Sequence, residues 1–91
     1  MGILSLKPKL NVYEFRDSSD IIWIAAKNES DAVEEWRRMV NPDYYYDSVR
    51  KLHDPELDKH TVDNGDGTVT TYRSALNEVE NPPTFIDTSW F

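Results

Sequence analysis

Residues 21–40, IIWIAAKNESDAVEEWRRMV, decide how the chain is read. Ile21 to Ala26 is a continuous apolar run rich in β-branched and aromatic residues, too short for an ordinary helix and bounded by polar segments. It reads as a strand covered on both faces, or nearly so. Asn28 can then cap a helix, with Glu29 and Asp31 placed where the helix dipole favours negative charge. Ala32, Val33, Trp36, Met39 and Val40 recur at spacings of one, four, seven and eight, which gathers them on one helical face. Glu34, Glu35, Arg37 and Arg38 take the other face, with Glu34 and Arg38 spaced to pair, and Asn41-Pro42 stops the helix.

Working back from this unit, Lys9 to Phe15 alternates, Leu10 and Val12 against Tyr13 and Phe15. Asp17-Ser18-Ser19-Asp20 supplies a turn, so a first strand pairs antiparallel with residues 21–26 as a hairpin. Residues 1–8 read as a loosely ordered lead-in. They lack the charged start, apolar block and small-residue cleavage site of a secretory signal.

Working forward, Tyr44-Tyr45-Tyr46 favours a strand running on toward Leu52, with Tyr44 and Tyr46 on one face and Tyr45 on the other, and a helix is the alternative for this segment. Asp54-Pro55 marks a short helical turn with Asp54 as its cap. Asn64-Gly65-Asp66-Gly67 lies between the β-branched segments 60–63 and 68–70 and predicts a second hairpin. Thr71 caps a helix whose stripe is Tyr72, Ala75, Leu76 and Val79. Thr84 to Phe91 closes the chain as a strand, with Phe85 on one face and Ile86, Thr88 and Trp90 on the other. The expected architecture is one α+β domain over residues 1–91: a small antiparallel or mixed sheet, made of two hairpins plus a C-terminal strand, with two short helices on one face.

The chain of 91 residues buries only roughly 60 to 65% of its unfolded surface. Three Trp, five Tyr and three Phe must therefore supply much of the core. The absence of cysteine excludes disulfides and thiol chemistry. A formal charge of −7, from 17 acids against 10 bases, opposes direct binding to nucleic acid or anionic lipid and favours a partner protein with a basic surface. No apolar run approaches the ~20 residues of a membrane span. The expected location is the cytoplasm.

Three groups of residues are candidate sites. Asp63 to Gly67 suggests a calcium loop, but placing Gly67 at the sixth position puts Val62 first and Arg73 twelfth, where acids are required. A hairpin turn is the better account, and no metal or cofactor is expected. His53, Asp54, Asp58 and His60 are the one group with ligand or acid/base chemistry. Their spacing matches no geometry for convergent ligands, although a small metal-dependent hydrolase using His53, Asp58 and His60 stays open as an alternative. The third group is Tyr44, Tyr45 and Tyr46 with Asp43, Asp47, Asp54, Glu56 and Asp58. A pleated strand cannot easily bury three adjacent tyrosines, so at least one ring should face solvent, where tyrosine favours protein contacts. Ordinary loop solvation accounts for the acids in many proteins of this charge. The sharper reading is a surface that occupies a basic groove of a nucleic-acid-binding protein.

WIAA followed by SDAVEEW within Trp23 to Trp36, TYRSAL at Thr71 to Leu76 and PPTFIDTSW at Pro82 to Trp90 resemble small acidic proteins encoded by bacteriophages and prophages. That class includes anti-CRISPR proteins and other inhibitors of bacterial defence. The resemblance covers less than half of the chain. It implies a non-enzymatic inhibitor or accessory protein acting on a host protein, and carries over no catalytic residue. A structural or assembly protein pairing through its C-terminal strand, as a homodimer, is the remaining alternative.

Overall fold

The computed structural model describes residues 9–18, 20–40, 43 and 45–90. The lead-in 1–8, Tyr44, Asn41-Pro42, Phe91 and the side chain of Trp90 lie outside the described residues.

Strands β1 (Asn11–Arg16) and β2 (Asp20–Ala26) form the expected antiparallel hairpin, in register from Asn11 opposite Ala26 to Arg16 opposite Ile21. Its turn is closed by Asp17, whose N–H donates to the Asp20 carbonyl and whose Oδ1 accepts from the Asp20 N–H at 2.9 Å. Helix α1 (Glu29–Met39) follows, with Asn28 Oδ1 accepting from the Asp31 N–H at 2.8 Å. β3 (Ser48–Lys51) pairs outside β1 and β6 (Thr84–Trp90) outside β2, giving a four-stranded sheet of order β3-β1-β2-β6 whose neighbours are all antiparallel. Between β3 and β6 lie α2 (Asp54–Lys59), the hairpin β4 (Thr61–Asp63) with β5 (Val69–Thr71), and α3 (Tyr72–Glu78).

The α+β class and the antiparallel pairing match the sequence expectation, but the second hairpin forms a two-stranded sheet of its own, and the helices divide between the two faces instead of sharing one. The reason lies in β2. Ile22, Ile24 and Ala26 join Tyr13 and Phe15 under Ala32 and Trp36 of α1. Ile21 and Trp23 point the other way and join Val12, Leu52, Leu57 and Tyr72 under α2 and α3. A central strand apolar at every position from Ile21 to Ala26 needs cover on both sides, and the connection from β2 to β3 supplies one cover while the segment from β3 to β6 supplies the other.

On the α1 face, Trp36 stacks on Phe15 with centroids 5.9 Å apart, and Tyr46 meets both rings edge-on at 5.3 and 5.1 Å. Such pairs contribute about 0.5–1.5 kcal/mol each beyond the area they bury. On the other face Tyr72, Trp23 and the His60 ring form a three-way cluster with centroids 5.2 to 6.1 Å apart.

Four local features differ from the sequence reading. The N-cap of α2 is His53, one residue before the expected Asp54. The strand expected to start at the tyrosines begins only at Ser48. Arg38 pairs with Glu35, one residue nearer than Glu34. In β6 the ladder slips: Trp23 faces Asp87, but Ile24 faces Phe85. Ile86 is therefore an extra residue, and a bulge of this kind breaks strict alternation. Ile86 packs into the Tyr72 cluster, and Asp87, opposite Trp23, lies on that same side, where its carboxylate accepts from the Tyr72 hydroxyl at 2.9 Å.

Candidate functional site

Tyr46 is the anchor of the tyrosine segment. Its ring is half-buried against Phe15 and Trp36, and one residue later the Asp47 N–H donates to the Arg16 carbonyl at 2.7 Å. These two attachments fix the backbone on either side of one peptide. Tyr45, immediately before them, is 82% exposed. Asp43 and Asp47 are exposed beside it. The result is a ring held out from a fixed base, two residues after Asp43 and two before Asp47 in the chain, able to meet a guanidinium or ammonium by cation–π contact.

The acids of α2 are differently placed. Glu56 is gripped by both outer nitrogens of Arg50, at 2.9 and 3.0 Å, and accepts from the His53 N–H at 2.6 Å. Those bonds from Arg50 and His53 lower its carboxyl to about 2. Asp58 is held by Arg73, which lowers its carboxyl too, and the same arginine donates to the Asp54 carbonyl at 2.9 Å. Two of the three α2 acids are thus already matched by arginines. They also lie apart from Tyr45: four β3 residues intervene, about 13 Å at the usual rise. Tyr46 belongs to the α1 face and Leu57 to the opposite one.

His53 caps α2 at one end and His60 at the other, so six helical residues separate them. The His60 ring stacks on Tyr72 at 5.2 Å, and Asp58 is occupied by Arg73. Among the described residues, no three His, Asp or Glu side chains converge as metal ligands. The Asp63 to Gly67 loop spends its oxygens on its own turn: Asp63 Oδ1 accepts from the Gly65 N–H at 2.8 Å and Asp66 Oδ1 from the Thr68 N–H at 2.9 Å.

No family model, curated protein or solved structure matches this chain. Its own geometry therefore carries the functional argument. No helix among the described residues is long and apolar enough to cross a membrane.

The residue that sequence reading passed over is Glu14. It is 3% exposed, on the same side of the sheet as Val12 and Trp23. Burial would raise its carboxyl, but hydrogen bonds from Arg16 and Trp23, with the charge of Arg50, outweigh it and hold the group below the usual carboxylate range. Tyr72 nearby shows the opposite balance: burial first, then its bond to Asp87, pushes the phenol upward and keeps it neutral. The signal for Glu14 was visible as one charged residue inside the alternation of Val12 to Phe15. Its bonds go to Arg16, Trp23 and Arg50, so its role is to hold the sheet to its cover.

Proposed function

We propose that the chain is a non-enzymatic binding protein that occludes a basic surface of a partner protein, with Tyr45, Asp43 and Asp47 as the contact. The observation that carries this reading is the 82% exposure of Tyr45 beside the anchored Tyr46. A large ring held outward on a fixed base loses little conformational freedom on binding, which is what interface tyrosines contribute. The charge of −7 supports a cationic partner. Grooves that take nucleic-acid phosphates fit that description, and a host defence nuclease is one protein that has such a groove. Asp54, Glu56 and Asp58 form a second arm, of which Glu56 and Asp58 are matched by arginines, so its electrostatic share is smaller.

The test is affinity capture from a bacterial lysate with the tagged full chain, wild type beside Tyr45→Ala. One specific basic protein should be retained by the wild type, more weakly as salt rises. Tyr45→Ala should lose about 2 kcal/mol of affinity while its stability stays within about 0.5 kcal/mol. Tyr46→Ala, by contrast, should cost about 2–4 kcal/mol of stability because it removes core contacts. Capture of no specific protein, or equal capture by the Tyr45 variant, would sink the proposal.

A further inference from the structure

The two edges of the four-stranded sheet are unlike. β3 has four residues and carries Arg50 and Lys51, the short, charged form that discourages pairing with another chain. β6 has seven residues, contains no lysine or proline, and no strand lies beyond it among the described residues. Alternate N–H and C=O groups of such an edge point away from the sheet.

Beside the first half of β6 runs a groove of about 480 Å³. Val62 of β4, Ala75 and Val79 on the α3 side, and Ile86 of β6 give it an apolar lining. The bulge supplies the last of these, because it adds Ile86 to the side of the sheet that faces α3. Glu78 and Glu80, both exposed, also line the groove. We propose that this groove binds an extended segment of another protein as an added strand on β6. That segment would place apolar side chains on Val62, Ala75, Val79 and Ile86 and a lysine or arginine against Glu78 and Glu80.

Each feature selects one property of the ligand. The edge, which has no neighbouring strand among the described residues although the Thr88 N–H donates to Asp87 Oδ1 at 2.9 Å, selects an extended backbone, the apolar lining selects apolar residues at alternate positions, and the two glutamates select a cation between them. Charge also decides against a second copy of this chain as the occupant. Each copy carries −7 and its own Glu78 and Glu80, so two copies would meet acid to acid. The surface is separate from Tyr45, which precedes β3 at the opposite edge, three strand spacings or about 14 Å away.

The probe is a fluorescein-labelled peptide alternating valine and lysine, titrated against the full chain by anisotropy. Two control peptides accompany it, one N-methylated at alternate backbone nitrogens and one with glutamate for lysine. The first peptide should saturate, shifting the backbone amides of Thr84 to Thr88 in NMR spectra, and neither control should bind. Glu78→Lys with Glu80→Lys should weaken binding about tenfold, the effect of two reversed rim charges, while Tyr45→Ala leaves it unchanged. Three outcomes would overturn the proposal. They are no saturable binding, equal binding of the N-methylated peptide (charge attraction without strand addition), and light scattering that shows a dimer whose interface contains β6.

Discussion

Glu14 and Arg50 are direct cross-strand partners in the β1/β3 ladder, and the guanidinium that reaches Glu14 Oε1 at 3.2 Å also closes a two-pronged pair with Glu56 of α2. On its other side Glu14 lies directly across from Trp23, whose indole N–H donates to Oε2 at 3.0 Å. Arg16 adds a third bond at 3.0 Å. One buried carboxylate thus joins three strands, and one arginine fastens the β3 edge to the helix above it. A buried charge costs several kcal/mol when left alone. Here the arrangement persists because each oxygen of Glu14 has a donor, while Arg16 and Arg50 keep about half of their side-chain surface in water.

Removing that acceptor should be costly out of proportion to its exposure. Glu14→Ala leaves the Trp23 N–H without its acceptor and two arginines without their shared carboxylate, an expected loss of about 2–4 kcal/mol. Glu14→Gln keeps one oxygen as acceptor and should lose less. Urea denaturation of the two variants measures both values. If Glu14→Ala unfolds within about 0.5 kcal/mol of the wild type, in the range of ordinary surface changes, the network is not holding the sheet to α2.

Acid should act on the same network, and the direction follows from the carboxyls. Glu14 and Glu56 both sit below their ordinary value of 4.5 in the folded chain, Glu56 at about 2. Their contribution is therefore complete above the unfolded value and fades as the pH falls toward the folded one. Stability should decline between about pH 4.5 and 2, and Glu56→Gln should flatten the slope across that window. Because Glu56 pairs at the surface, its share is under about 1 kcal/mol and shrinks further in salt. The check is the urea midpoint against pH for the wild type and Glu56→Gln; identical slopes would show that the Arg50–Glu56 pair adds no pH dependence.

What the sequence made legible was short in range. The Asn28 cap, the Asp17–Asp20 turn, the Asn64 to Gly67 turn and the Thr71 cap are each settled by residues within four positions of one another, and each stands in the structure as read. The side of the sheet each helix covers was not legible, because it depends on where the chain goes after β3. Even so, the unbroken apolar run of β2 already called for two covers. Glu34 and Glu35 both lie within helical reach of Arg38, so spacing alone could not choose between them. Tyr45 and Tyr46 differ in exposure through the contact of Tyr46 with Phe15 and Trp36, which are distant in sequence. The β6 groove was hidden for the same reason. Its lining runs from Val62 to Ile86, and it needs a bulge that no local pattern announces.

The turn between β4 and β5 offers a test in which backbone conformation acts alone. Gly65 and Gly67 have φ of +84° and +89°, and a Cβ built on either would meet no atom within 4 Å. Alanine at Gly67 therefore fits the space but not the backbone, at about 1–2 kcal/mol for a left-handed L-residue. Asparagine tolerates that region better and should cost less. For a domain of this size, 1 kcal/mol corresponds to a melting shift of about 4–8 °C, so calorimetry separates the two variants. The consequence reaches beyond stability, because Val62, Asn64 and Thr70 of this hairpin also line the β6 groove. Gly67→Ala should lower the melting temperature and weaken the valine–lysine peptide together, with Gly67→Asn intermediate in both. An alanine variant that melts with the wild type would mean the turn relaxes to negative φ without disturbing the hairpin. A variant that melts lower but binds the peptide normally would mean the hairpin wall is not part of the peptide's contact.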